Sequence, residues 1–96
     1  RMLSFRTDIR SNHWFFSLYL ADARHERDAV IAALSAEKIQ SRPIWALINE
    51  QKPYVTNETC GMTKAEEYRA KIVNLPCSTN LSMQDAQRVV DALLML

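Results

Sequence analysis

Arg42 is the residue of this chain that its neighbours best equip to recognise a ligand. It lies in the sequence Ser41-Arg42-Pro43-Ile44-Trp45. Because a proline disfavours the helical conformation for the residue before it, the backbone of Arg42 is restricted. A guanidinium on a restricted backbone suits recognition of a carboxylate or phosphate through paired hydrogen bonds. The same pattern is equally compatible with a surface arginine that stacks on Trp45.

The other reactive side chains form no recognisable catalytic motif. A single glycine leaves no glycine-rich loop for a phosphate, which excludes P-loop and dinucleotide-binding sites. The lysines lie in polar surroundings, whereas a Schiff-base nucleophile needs an apolar or cationic pocket. His13, at the head of an apolar segment, is either a structural residue or a ligand contact. We therefore predict no catalytic residue within the chain.

Length and composition indicate one domain that spans residues 1–96. A net charge of +1 gives no electrostatic footprint for a nucleic-acid or anionic membrane partner, and no apolar run reaches the roughly 20 residues of a membrane span. Two cysteines without a C-x-x-C motif predict free thiols and no metal site, as expected in a reducing, cytoplasmic compartment. Because the chain opens on Arg1 rather than methionine, we expect it to be part of a longer protein.

The first half of the sequence predicts a strand, a helix and a second strand. Asn12–Leu20 is rich in aromatic residues and apolar on both faces, which indicates a strand covered twice in the middle of the structure. Apolar spacing predicts a helix from Glu26 to about Lys38, which must end before Pro43. Ile44–Ile48 then predicts a short strand, with a turn of helix as the alternative.

The second half predicts a long loop, two helices and a strand between them. The polar stretch Asn49–Met62 lacks periodicity and indicates the loop. Thr63 and Glu66 match a capping box, so a helix should begin at Thr63, and Val73–Leu75 should form a third strand. Ser82 predicts the cap of a terminal helix with one apolar face, formed by Ala86, Val89, Val90, Leu93 and Leu94. This order predicts an α/β fold, a small α+β domain whose three-stranded sheet carries three helices mainly on one face.

Several motifs, in this order, resemble the carboxy-terminal domain of the DegT/DnrJ/EryC1/StrS family of sugar aminotransferases. The similarity runs from about Ser11 to Leu96 and is carried by Asn12-His13-Trp14, Arg27-Asp28, Ser41-Arg42-Pro43-Ile44-Trp45, Pro53-Tyr54, Ala65-Glu66, Asn74-Leu75-Pro76 and Leu81-Ser82. The R-P-x-W form is most similar to the branch that acts on UDP-linked 4-keto sugars of the bacillosamine and legionaminic acid type. One departure is Lys38 before Ile39, where the family often has glycine.

The resemblance implies a small domain of the fold-type-I aminotransferase architecture. Its parent would be a pyridoxal-phosphate enzyme of polysaccharide biosynthesis that transfers an amino group from glutamate to a keto nucleotide sugar.

 In that family the cofactor lysine and most phosphate contacts lie in a large domain, so this chain alone would bind no cofactor and be inactive. The implied partners are that large domain, the nucleotide-sugar substrate and a second subunit in a homodimer.

By position, the resemblance assigns substrate contacts to Asn12, His13, Arg42 and Trp45, with Tyr54 as a weaker candidate. The domain would close over the active site of the parent enzyme. Two other functions remain open: a stand-alone interaction module that binds a partner through its apolar sheet face, and a structural part of an unrelated α/β enzyme.

Overall fold

The computed structural model describes residues 1–22 and 25–96. Its elements are β1 (Phe16–Tyr19), α1 (Arg27–Ala36), β2 (Arg42–Pro43), a 3₁₀ turn (Ile48–Glu50), α2 (Thr63–Lys71), β3 (Ile72–Leu75) and α3 (Met83–Leu94). The three strands form one antiparallel sheet in the order β1-β3-β2. This confirms the predicted fold class, a small α+β domain with three strands and three helices.

The core lies between one face of β3 and the helices α1 and α3. Val73 is fully buried and packs with Val30 and Leu34 of α1 and with Val89 of α3. Successive residues of a strand point to opposite faces, so Val73 and Leu75 face these helices while Ile72 and Asn74 face the other side. The second face of the sheet is therefore available for a different role.

The predicted strand Asn12–Leu20 is too long at its amino end. The side chains of Ser11 and Asn12 accept hydrogen bonds from the backbone N–H groups of His13 (3.0 Å) and Trp14 (3.1 Å). Such local bonds compete with strand pairing. His13 also has φ of 53°, in the left-handed region, which interrupts an extended chain. The strand therefore begins only at Phe16.

The expectation that this first strand lies in the middle, covered on both faces, is wrong. The central strand is β3, whereas β1 lies between β3 and the first residues of the chain. Arg1 and Tyr19 exchange backbone hydrogen bonds, the N–H of Leu3 donates to the carbonyl of Ser17, and Met2 forms a bridge to Leu18. β1 itself is at most half-buried. Trp14 and Phe15, which lie in the predicted strand but before β1, instead make the ring contacts described below.

Helix α1 ends in a Schellman motif. The N–H of Ile39 donates to the carbonyl of Leu34 and the N–H of Lys38 donates to that of Ser35, both at 2.9 Å. Lys38 has φ of 58°, the left-handed conformation that usually selects glycine. This conformation explains why glycine is common at this position in the family that the sequence resembles, where this chain has Lys38.

The second strand is displaced from its predicted position, Ile44–Ile48. Arg42 pairs with Asn74 and Pro43 with Val73, and the ladder ends with a bond from Ile44 N–H to the carbonyl of Ile72. Residues 44–47 form neither strand nor helix, and a single 3₁₀ turn follows. A proline at the edge of a sheet is tolerated because its missing N–H can face away from the ladder.

The helix after the loop begins at Thr63, as predicted, but the capping box is wrong. Thr63 is the first helical residue, and Met62 is the cap, which makes no side-chain hydrogen bond. The N–H of Glu66 donates to the backbone carbonyl of Met62 at 2.9 Å. Tyr68 on this helix is exposed, and Ile72, which follows the helix, belongs to β3.

The cap of the terminal helix is confirmed. Ser82 Oγ accepts from the N–H of Asp85 at 3.1 Å, and the Asp85 carboxylate accepts from the N–H of Ser82 at 3.3 Å. The apolar face is buried only along one edge, since Val89 is in the core whereas Leu94 is 80% exposed. Among the described residues, no helix is long and apolar enough to cross a membrane.

Candidate functional site

A row of polar side chains crosses the second face of the sheet. Asn74 on β3 pairs with Ser17 on β1 and with Arg42 on β2, so the three residues lie side by side on one face. Ser17 Oγ donates to Asn74 Oδ1 at 2.8 Å. Asn74 is only 8% exposed, whereas Arg42 is exposed. The row thus runs from a part-buried hydroxyl to an accessible guanidinium.

An aromatic cluster, formed by Trp14, Phe15 and Trp45, stands beside this row. The ring centroids of Phe15 lie 4.8 Å from Trp14 and 4.9 Å from Trp45. Trp14 and Trp45 are 6.1 Å apart. Both tryptophans are about two-thirds exposed, at 66% and 64%. The cluster therefore presents aromatic surface to solvent next to a cation.

Arg42 and Asn74 of the polar row and Phe15 and Trp45 of the aromatic cluster border a cleft of about 260 Å³. Its walls come from the start of β1, from β2 and its flanks, and from the end of β3: Phe15, Gln40, Arg42, Pro43, Trp45, Asn74, Leu75, Pro76 and Cys77. Within the described parts of the chain, the guanidinium of Arg42 has no hydrogen-bond or ion-pair partner. A cleft with an unpaired guanidinium and aromatic walls can bind an anionic group attached to a planar ring.

The structure brings together two of the five predicted contact residues. Arg42 and Trp45 line this cleft. Asn12 borders a neighbouring cleft, also of about 260 Å³, that shares Phe15 as a wall. His13 lies between the rings of Phe5 (5.9 Å) and Phe16 (6.1 Å) instead.

Tyr54, the weaker candidate, lies apart from the cleft. It borders a separate cavity of about 460 Å³ in the loop before α2, together with Leu47 and Met62. The loop is exposed almost throughout. The structure thus separates Tyr54 from Arg42 and Trp45.

Sequence reasoning missed Asn74 and Phe15 as cleft residues. Asn74 had a signal of its own, because an amide in the otherwise apolar strand Ile72–Leu75 must find partners when it is buried. Phe15 gave no such signal, since an aromatic residue before a strand is equally compatible with a core position.

None of the lysines, all within the described residues, lies in the apolar pocket that a covalent cofactor needs; Lys71 borders a large cavity, but one lined by many charged side chains. Lys38 and Lys52 are exposed. Lys64 donates to Glu67 at 2.7 Å, and Lys71 lies 3.7 Å from the same carboxylate. The bond from Lys64 and a second one from Tyr19 lower the pKa of Glu67 to about 2. Lys64 and Lys71 therefore belong to a charged cluster on α2 rather than to an apolar reactive site.

A larger cavity, of about 630 Å³, lies between α1 and α2. Some of its charges are in contact: Arg27 donates to Asp28 at 2.7 Å, and Arg69 lies 3.4 Å from Glu50, although Nε and Nη1 of Arg69 are buried without a hydrogen-bond partner among the described residues. Arg27 also donates to the backbone carbonyl of Arg69 at 2.5 Å. This last bond joins α1 to α2. The smaller cleft at Arg42 is the better candidate for ligand binding because it combines an exposed guanidinium with exposed aromatic walls.

Comparison with known proteins gives one finding. The model of a family described as the DegT/DnrJ/EryC1/StrS aminotransferase family matches residues 2–94, which include the whole cleft. No curated protein matches the chain.

Proposed function

The chain belongs to the DegT/DnrJ/EryC1/StrS aminotransferase family, and we propose that it is the carboxy-terminal small domain of a larger enzyme. That enzyme transfers an amino group from glutamate to the keto carbon of a nucleotide sugar, of the UDP-linked 4-keto type. The observation that carries the proposal is the cleft in which the unpaired Arg42 lies beside the exposed ring of Trp45.

The residues of this chain do not fit the covalent site of pyridoxal phosphate, the cofactor on which the family generally depends. Covalent attachment needs a lysine in a protected pocket. Lys38 and Lys52 are exposed, and the charged cluster on α2 holds the other two lysines. We therefore place the cofactor in a large domain of the parent protein and expect the 96-residue chain alone to be inactive.

The cleft would recognise the nucleotide end of the substrate. A guanidinium forms paired, charge-assisted hydrogen bonds with phosphate oxygens, which suits Arg42 to the diphosphate. Aromatic rings stack on nucleobases, which suits Trp45 to the uracil. Asn12 borders the adjoining cleft and could contact a more distant part of the same ligand. The small domain would close over the active site and add these contacts.

A test of this function needs the full-length protein that carries the chain. Purified with pyridoxal phosphate, it should release 2-oxoglutarate from glutamate when a UDP-linked 4-keto sugar is the acceptor. The chain of residues 1–96, assayed at the same concentration, should release none. A full-length protein without a cofactor-binding lysine upstream, in a S-x-x-x-x-K-type stretch, would contradict the proposal.

The alternative, an interaction module, draws on the exposure of Trp14 and Trp45. Under that alternative, the chain alone would bind a protein partner and replacement of either tryptophan would abolish the binding. UDP would then have no effect on the intrinsic fluorescence of the two residues. Quenching of that fluorescence by UDP in the full-length protein, lost on replacement of Trp45, favours the aminotransferase.

A further inference from the structure

Asn74 is a buried amide whose hydrogen bonding is only half satisfied by the chain. Its Oδ1 accepts the bond from Ser17, while its Nδ2 has no partner among the described residues. Only 8% of Asn74 is exposed, yet the residue lines the cleft. Nδ2 is not among the side-chain atoms that are both fully buried and without a partner, so this donor reaches the space of the cleft and is accessible to a ligand there.

The bond from Ser17 determines which end of the amide faces the cleft. An amide has a donor end and an acceptor end that can exchange by rotation about χ2. Because the Ser17 hydroxyl donates to Oδ1, the nitrogen is left as the end that remains for a ligand. Ser17 lies on β1 and is not part of the wall of the cleft that contains Arg42; it borders the neighbouring cleft instead, so it acts on this cleft through Asn74.

We propose that Asn74 is a substrate-binding residue whose Nδ2 donates to the same anionic group that Arg42 binds, and that Ser17 is its positioning residue. The two donors are direct cross-strand neighbours, which places their Cβ atoms about 5 Å apart. Side chains whose Cβ atoms lie this close can both reach one phosphate or carboxylate. The inference rests on the proposed function, in which Arg42 binds the diphosphate of a nucleotide sugar; the carboxylate of the second substrate, glutamate, has the same hydrogen-bonding chemistry, and the experiment distinguishes the two.

The experiment uses the full-length protein and three variants. Asn74→Asp keeps the shape and the bond from Ser17 but replaces the donor by a carboxylate. Ser17→Ala frees the amide to rotate, and Ser17→Thr keeps the hydroxyl. Asn80→Asp, at an exposed turn, is the matched control for the added charge. KM and kcat are measured separately for the nucleotide sugar and for glutamate, together with the melting temperature.

Asn74→Asp should raise KM for one of the two substrates about tenfold or more, because a charge-assisted hydrogen bond is lost. Ser17→Ala should raise the same KM about fivefold, and Ser17→Thr should restore it. A rise for the nucleotide sugar identifies the diphosphate as the ligand, and a rise for glutamate identifies the carboxylate. If Asn74→Asp folds poorly, the Ser17→Ala and Ser17→Thr pair decides.

Unchanged KM values for both substrates in Asn74→Asp would overturn the inference, even if Arg42→Ala raises KM. If Ser17→Ala and Asn74→Asp lower the melting temperature but leave KM unchanged, Ser17 and Asn74 have a structural role only. That result would also overturn the inference. If the wild-type protein releases no 2-oxoglutarate, the proposed function fails separately. The Kd of UDP and of inorganic pyrophosphate for the same variants then decides the role of Asn74.

Discussion

The ring of Phe15 meets the ring of Trp45 edge to face, with centroids 4.9 Å apart and an interplanar angle of 85°. This contact joins the segment before β1 to the segment after β2, which lie at opposite edges of the sheet. The two segments thereby enclose the cleft in front of Asn74. The shape of the cleft depends on a contact between residues that are distant in the sequence.

Replacement of Trp45 should weaken ligand binding without unfolding the protein. Trp45 is 64% exposed, so Trp45→Ala removes little core packing. Loss of base stacking, worth about 1–3 kcal/mol, should raise the Kd of UDP for the full-length protein about tenfold. Trp45→Phe, which keeps an aromatic ring, should retain most of the affinity. Equal affinities for the wild type and Trp45→Ala, measured by titration calorimetry, would show that the ring is not a ligand contact.

Lys38→Gly should stabilise the protein. Lys38 is held at φ 58°, where a side chain is strained and glycine is not. We expect a gain of about 1 kcal/mol in the free energy of unfolding, measured by urea denaturation. Lys52→Gly is the matched control, because Lys52 is exposed and does not have a positive φ, and it should give no gain. A loss of stability in Lys38→Gly would contradict the role assigned to this turn.

Shortening a side chain in the core between α1 and β3 should destabilise the protein far more than shortening one on the exposed edge of α3. Leu34 is 1% exposed and Leu94 is 80% exposed. Leu34→Ala should lower the free energy of unfolding by about 2–5 kcal/mol, since it removes buried methyl groups and leaves a cavity. Leu94→Ala should change it by less than about 0.5 kcal/mol. Similar losses in the two variants, from denaturation curves, would contradict this core.

The charged cluster on α2 should make the stability of the protein depend on acid. Bonds from Lys64 and Tyr19 lower the pKa of Glu67 from 4.5 to about 2. A carboxylate with a lowered pKa in the folded state contributes stability above its unfolded pKa and loses it as pH falls. The contribution should be complete above about pH 4.5 and decline toward pH 2. In Glu67→Gln, the free energy of unfolding should depend less on pH between about pH 2 and 4.5. The same dependence in the variant and the wild type would contradict the bonds from Lys64 and Tyr19 to Glu67.

Some local features of the fold were predictable from the sequence, although the capping box at Thr63 was not, and contacts between distant segments were not predictable. The cap at Ser82 depends on residues within one helical turn, and it is confirmed. The strand around Arg42 depends on its register with Asn74, which no local pattern specifies. The first strand was predicted too long because its aromatic residues also suit exposed ring contacts, as with Trp14.

In the candidate site, too, residues marked by a local pattern were predictable, and contacts between distant segments were not. Arg42 was predictable because Pro43 restricts its backbone, whereas Trp45 was assigned as a substrate contact by the resemblance; the two residues do line one cleft. The pairing of Ser17 with Asn74 joins two segments far apart in the chain, so only the sheet reveals it. Tyr54 was assigned by resemblance alone, and the loop that carries it lies at another cavity.

The most direct test of a substrate-binding cleft is the kinetics of Arg42→Ala in the full-length protein. KM for the UDP-linked 4-keto sugar should rise at least about tenfold, because a charged hydrogen-bond donor to the diphosphate is lost. Arg42→Lys should recover only part of the affinity, since lysine lacks the two-pronged donor. Arg10→Ala, at an exposed position outside this cleft, is the control. A KM for Arg42→Ala equal to that of the wild type would contradict the account.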